Sequence, residues 1–186
     1  MTPTILAING GSSSIRFALY AMDNVSQSSI CLLLRGTINR MGLNGTKFIV
    51  NDPVGEIQYE QNIHKVDYEA VVDILLDWFE AQPWFKTVQA AGHRIVHGME
   101  YKVPQPVTPA LLETLYQMIP FDPVHMPCEI YLIHSIQKRH PALLQMVCFD
   151  TAFHSEMPRV AKLLPIPRCY EAKGVKRYGF HGLSYS

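Results

Sequence analysis

The feature that most constrains the fold is a change of period partway along the chain. The first 60 residues are rich in strand signals, and a well-marked helix pattern begins only at Asp67. Ile5 to Ile8 is a short apolar run. Ile15 to Met22 and Ile30 to Ile38 read as two further strands, and shorter pieces surround Phe48 and Ile57, with Asn51-Asp52-Pro53 and Gly55 as turn residues between them. Then Asp67 stands as an N-cap, Glu69 suits a first turn, and Val71, Ile74, Leu75 and Trp78 make one apolar stripe that Pro83 limits. From there the periods alternate. Thr87 to Ala91 reads as a buried strand. Thr108-Pro109 opens a helix through Leu111, Leu112, Leu115 and Met118. Pro127 opens another, with Ile130, Ile133 and His134 expected on one face, and Leu143 to Phe149 is a last buried strand ending at Asp150. A meander followed by αβαβ units predicts an α/β fold, a mixed sheet with helices packed against it.

Composition excludes several classes. The 186 residues carry 16 basic and 16 acidic side chains, so the chain lacks the basic excess that captures nucleic acid. At 48% apolar and 17% charged it is too hydrophobic to be disordered. No apolar run approaches the ~18 residues a membrane span needs. Met1-Thr2-Pro3-Thr4 has no basic leader and runs straight into the first strand, which does not read as a signal peptide. Cys31, Cys128, Cys148 and Cys169 are scattered without a C-x-x-C pair, and read as reduced, buried thiols of a cytosolic protein. The last residues, Tyr178 to Ser186, show no helix stop and no polar fade-out, so the sequence reads as a fragment.

Four segments could carry chemistry. Asn9-Gly10-Gly11-Ser12-Ser13-Ser14 lies between two strands. Its glycines permit positive φ, and its small polar residues let a phosphate or hydrated metal ion come close, although an ordinary hairpin turn has the same composition. It is not a Walker A loop, because no Gly-Lys-Ser/Thr follows. In Gly92-His93-Arg94-Ile95-Val96-His97-Gly98, strand alternation puts Arg94 and Val96 on one face and His93 and Ile95 on the other. A guanidinium at the mouth of a sheet offers a fork to carboxylate or phosphate. The His-x-x-x-His spacing would bind zinc from a helix, but Ile95 and Val96 favour a strand, so both histidines read as structural. Asp150 follows a buried strand, where α/β sheets place ligands, and an N-cap role is equally open. A hydrolase pair of Asp150 and His154 lacks any Gly-x-Ser-x-Gly elbow. Arg177-Tyr178-Gly179-Phe180-His181-Gly182 holds a histidine that is either a turn residue or a donor aimed at developing charge.

In order and spacing, these segments together with Pro123-Val124-His125 and Phe149-Asp150-Thr151-Ala152-Phe153-His154 resemble the acetate kinase family of short-chain acyl kinases, from residue 5 to the end. The resemblance implies a ribonuclease H-like, actin-like ATPase fold, with residues 1–150 as the first domain of a two-domain kinase and residues 151–186 as the start of the second. It implies ATP plus acetate giving ADP and acetyl phosphate, reversibly, in a cytoplasmic homodimer. Asn9 then matches a residue that helps hold Mg²⁺ (Mn²⁺ also serving), with Ser12 and Ser14 in the same loop and Arg16 near the nucleotide where the family has Lys. Arg94 matches the arginine that binds substrate carboxylate or phosphate, and Val96 its apolar neighbour. His125 matches a contact to the phosphoryl group, Asp150 the catalytic aspartate, and His181 the histidine that stabilises the transition state. Three positions depart from the family pattern: Arg16 for Lys, Met99 for a glycine, and Met126 with Cys128-Glu129 for an Asn-Pro-Ala-Asn run.

The chemistry suits the residue types. A carboxylic acid with a pKa of about 4–5 is already a nucleophile at neutral pH, so no general base is needed. Alignment and neutralisation of the moving phosphoryl group are needed instead. Asp150 therefore takes an orienting and metal-organising role. Propionate or another short-chain acid is the alternative substrate, and a non-catalytic carboxylate- or phosphate-binding domain is the alternative function. A sugar-kinase or actin relative would share the fold without the Arg94 and His181 contexts.

Overall fold

A computed structural model describes residues 2–22, 30–64 and 66–186. The meander forms as expected: β1 (Thr4–Gly10), β2 (Ser14–Met22), β3 (Ile30–Asn39), β4 (Thr46–Asn51) and β5 (Ile57–Ile63) pair antiparallel in succession. Helix α1 (Tyr68–Glu80) starts on the Asp67 side chain, which accepts the Ala70 N–H at 2.9 Å. A cap of this kind is worth about 1 kcal/mol. Strand β6 (Val88–Ile95) then pairs parallel with β1 and runs beyond the expected Ala91, carrying His93 and Arg94 inside the strand. A two-residue strand β7 (Gln105–Pro106), too short to leave a period in the sequence, precedes α2 (Pro109–Met118). Thr108 caps α2 by accepting from the Leu111 N–H at 3.1 Å. Helix α3 (Met126–Arg139) and β8 (Leu144–Phe149) complete one eight-stranded mixed sheet of order β5-β4-β3-β2-β1-β6-β8-β7. The expected α/β architecture is therefore present.

Two buried clusters lie under the helices. The first packs Leu6, Ile8, Phe17, Phe48, Leu75 and Phe79 between the meander and α1. The second packs Ile95, Leu115, Met126, Ile133, Val147 and Phe149 beneath α2 and α3. Helix α3 is wedged between the two, giving Leu132 and Ile136 to the first and Ile130 and Ile133 to the second. This corrects the expected single stripe, since His134 falls outside both contacts and is exposed. At their far ends α1 and α3 are joined by Arg139, whose Nε donates to Glu80 at 2.8 Å. An exposed network of this kind adds about 1 kcal/mol or less.

Two further expectations change and a third holds. Neither Gly10 nor Gly11 has positive φ. Gly10 is needed for closeness instead, because a Cβ there would lie 2.8 Å from Leu132 Cδ2. The cysteines are free but not buried: Cys31 and Cys169 are exposed, Cys128 and Cys148 half-buried. His93 and His97 are structural. His93 is buried and donates to Gln145 Oε1 at 2.8 Å, and burial pushes its imidazole down to about 4. His97 packs its ring against Tyr178 and Phe121.

Candidate anion and phosphoryl site

Strand register builds the site. Asn9 on β1 pairs with Arg16 on β2 and with Arg94 on β6, and Arg94 pairs with Cys148 on β8. Side chains in register across neighbouring strands share a face. Asn9, Arg16 and Arg94 therefore form a row at one end of the sheet, and Asp150 stands two residues past Cys148, at the carboxyl end of β8. Ligand sites in α/β sheets open at such strand ends. The hairpin tip between β1 and β2 adds Ser12 and Ser14, closed by the Gly11 N–H donating to Ser14 O at 2.8 Å.

Two more elements close the ring. His125 sits at the start of α3, held by Asp122, which accepts from the His125 backbone N–H and from its Nδ1, both at 3.0 Å. His125 and the neighbouring N–H groups hold the Asp122 carboxyl below its ordinary range against the opposing effect of its partial burial. His181 adopts a left-handed backbone (φ 59°) and is followed by Gly182, where a Cβ would collide with the Asp150 carbonyl oxygen. The Leu183 N–H then donates to Asp150 Oδ1 at 3.2 Å. The outcome is one cavity of about 460 Å³ walled by Asn9, Ser12, Ser14, Arg16, Arg94, His125, Asp150 and His181. Eight of the nine candidate residues converge on it. Val96 does not line this cavity: β6 ends at Ile95, the alternation stops there, and Val96 is buried in the second cluster.

Arg94 departs from the expected open fork. Its Nε donates to Asp150 Oδ2 at 2.8 Å and its Nη2 bonds the same oxygen, while Nη1 reaches Glu129 Oε1 at 3.3 Å. The Asp150 side chain is thus spent on Arg94 and Leu183, and it caps nothing. Three of the five guanidinium N–H groups are used, and two remain for a ligand. Glu129 is the residue that the sequence left without a role. It is 2% exposed, its Oε2 accepts the Val96 N–H at 3.0 Å, and burial pushes its carboxyl up to about 7. Its only sequence signal was its place in the altered run after His125. Asp122 was missed because only the turn geometry shows that it holds His125.

The wall suits anions that carry a hard cation. Among the described residues no cluster of three His, Cys, Asp or Glu could cage a metal ion. The amide oxygen of Asn9 and the hydroxyls of Ser12 and Ser14 are hard oxygen donors at the edge of the same cavity. This donor set fits a largely hydrated hard divalent cation such as Mg²⁺ or Mn²⁺.

The chain has relatives among known proteins. Residues 4–186 match the model of the acetokinase family. An acetate kinase of Rhodopseudomonas palustris is 36% identical over 187 aligned residues, covering 100% of this chain and 46% of the relative. One of Natranaerobius thermophilus is 36% identical, covering 97% and 46%. Among solved structures, the acetate kinase of Porphyromonas gingivalis superposes with a TM-score of 0.82 at 29% identity, over 98% of this chain and 46% of that one. A propionate kinase of Francisella tularensis gives 0.82 at 28% identity, again over 98% and 46%. The chain thus spans about half the length of the curated relatives it matches.

Proposed function

The chain belongs to the acetokinase family, and from that premise we propose that it supplies the acid- and phosphoryl-binding half of a reversible transfer from ATP to a short-chain carboxylate, acetate first. The convergence of eight candidate residues on one cavity carries this reading. Arg94 receives the carboxylate or the phosphoryl group with its two spare N–H groups, and Asp150 holds the guanidinium in place through its Nε and Nη2. His125 and His181 stand on the wall as donors to phosphoryl oxygens. Asn9, with Ser12 and Ser14 beside it, would hold a Mg²⁺ (or Mn²⁺), which would supply neutralisation of phosphate charge. Arg16 faces the nucleotide side. Positioned donors of this kind are what phosphoryl transfer asks of a protein, since the acid needs no deprotonation. Propionate is the second reading, favoured by the equally good superposition on a propionate kinase.

Residues 1–150 form the first domain in this reading and residues 151–186 begin a second. The exposed Phe153, Val160, Phe180 and Tyr185 support that division, as apolar groups awaiting cover. A cytoplasmic homodimer belongs to the same reading. No described helix is long and apolar enough to cross a membrane, and neutral net charge favours small substrates over nucleic acid as partners.

Trapping acyl phosphate with hydroxylamine tests it. Residues 1–186 alone, given ATP, Mg²⁺ and acetate, should yield no hydroxamate, and the same residues joined in one chain to the second half of a relative should. Arg94→Ala in that joined chain should raise the acetate KM and lower kcat, with Arg94→Lys a poor substitute. Acetate dependence unchanged by Arg94→Ala would sink the assignment.

A further inference from the structure

Glu129 lies behind the cavity wall, against Arg94, without a place in the reaction just proposed. It is in the first turn of α3, nearly fully buried, and bridges the Val96 N–H to Arg94. Arg94 consequently faces two carboxylates, Asp150 and Glu129, with its side chain 18% exposed to the cavity. With both ionised, the trio carries a net negative charge exactly where an anionic substrate must approach. We infer that Glu129 is a positioning residue that sets anion affinity: it fixes the guanidinium against Asp150 and competes with the incoming carboxylate or phosphoryl group for the charge of Arg94. This rests on the reading of Arg94 as the receiver of the substrate anion.

The surroundings decide how strongly the competition acts. Arg94 from β6 and the Val96 N–H favour the ionised form of Glu129. Asp122 from the turn before α3 and Asp150 after β8 oppose it, and burial opposes it most. The Cys128 thiol on its own helix and the Tyr68 hydroxyl on α1 also feel it, each pushed up first by its own burial and further by the Glu129 charge. These influences leave the carboxyl near 7, so the competitor is ionised above neutral pH and discharged below it. As an amide the side chain has one accepting oxygen, which can keep the Val96 N–H and so the join of α3 to the end of β6, while the bond to Arg94 Nη1 and the charge that competes for the guanidinium are lost. A purely structural bolt is largely conserved by that change, whereas an affinity-setting carboxylate is not.

The test uses sulfate, which stays doubly charged between pH 6 and 8 and requires no turnover, so absence of acyl phosphate formation leaves it readable. The 186-residue chain is titrated by NMR at fixed ionic strength. At pH 8, Glu129→Gln should bind sulfate about tenfold more tightly than the parent, the effect of deleting one nearby like charge in a partly screened site. At pH 6 the gap should shrink to about twofold or less, because the parent's carboxyl is by then protonated. The shifted resonances should include Arg94. Should Glu129→Gln fail to give a folded spectrum, Glu129→Asn is read in the same way. Unchanged or weaker sulfate binding in the amide variants overturns the inference, as does a gap that persists at pH 6. Sulfate binding that survives Arg94→Lys undiminished overturns instead the placement of the anion on Arg94, and no binding by any of the proteins overturns both.

Discussion

The chain up to Phe149 and the chain after it are built differently, although both supply the site. The first part owns the two buried clusters, and its site residues stand on paired strands or at a helix start. After Phe149 only Asp150, Thr151 and Gly182 are buried, and none is a large apolar group. Single helical turns at Asp150–Phe153, Arg159–Lys162 and Cys169–Ala172 replace long elements. Beyond the Tyr178 ring on His97 and Ala152 against the second cluster, this second part is held by polar contacts: the Gly98 N–H to Thr151 Oγ1 at 2.9 Å, His154 Nε2 to Phe180 O at 3.0 Å, and the Leu183 N–H to Asp150. Rigid strands therefore fix Asn9, Arg16 and Arg94, whereas His181 is carried by a segment without a core. The junction between them is the Arg94–Asp150 pair.

Breaking that junction should have the largest effect. Arg94→Ala leaves two buried carboxylates, Asp150 and Glu129, without their shared cation. Losing one partner of a buried ion pair costs about 3–5 kcal/mol, and urea denaturation at pH 8 should show a loss of that size. A loss under about 1 kcal/mol would mean that water already solvates the pair.

Most of the first part was legible in the sequence, and the reason is local. Strand and helix periods are written in neighbouring residues, and Asp67 and Thr108 cap the helices that their positions announce. The row Asn9–Arg16–Arg94 was not legible from spacing, because register between β1, β2 and β6 is a property of three distant segments. It was reached only through resemblance. Glu129 was hidden for a further reason: a glutamate in a first helical turn reads as an exposed favourable charge, and only packing shows that it is buried. The helical face of α3 failed as a single stripe because two cores, not one, claim it.

Stability against pH should separate the same parts. Glu129 has a folded pKa raised to about 7 from 4.5. A raised acid pKa means that the folded state holds the proton more tightly, so this group destabilises above pH 7 and the loss is recovered as pH falls towards 4.5. The full difference is on the order of 3 kcal/mol. His93 is lowered to about 4 from 6.5, so its contribution is intact above 6.5 and is lost as pH falls towards 4. The two slopes oppose each other between pH 4.5 and 6.5 and largely cancel there, so stability should be almost flat, with a shallow optimum at about pH 5.5. Glu129→Gln should leave the His93 slope unopposed, so the variant should gain stability steadily from about pH 4 to 6.5 and stay flat above. A pH profile unchanged by that substitution would show that the buried carboxyl does not destabilise the fold.

Two glycines compare the parts at matched geometry. At Gly98 an added Cβ would lie 2.6 Å from Phe149 Cβ, within the second cluster, and at Gly182 it would collide with the Asp150 carbonyl oxygen. Overpacking a core costs about 1–3 kcal/mol, and Gly98→Ala should lose that much. Gly182→Ala should lose less than about 0.5 kcal/mol, because a segment with no core of its own can move aside. It should nevertheless shift the His181 resonances and weaken phosphate binding. Equal losses from both would show that residues after Asp150 are as firmly packed as the sheet.

A small gain, rather than a loss, is expected at Met99, next to the link between the parts. Met99 has φ 48°, in the left-handed region, at a position where the resembled family carries glycine. Its backbone N–H donates to His97 Nδ1 at 3.1 Å, so the local turn is fixed by a contact that a glycine would keep. A non-glycine residue in this region costs roughly 1–2 kcal/mol, and glycine removes that strain. Glycine also gives the unfolded chain more freedom, an opposing term of about 0.4–1 kcal/mol. The half-buried methionine packs against the second cluster, and that contact is lost too. The balance favours Met99→Gly by only about 0.5 kcal/mol, read as a small rise in the urea midpoint with an unchanged slope. A clear fall in the midpoint would show that the thioether's packing under α2 outweighs the strain of its backbone, and that the methionine belongs to the core of the first part rather than to the turn leading away from it.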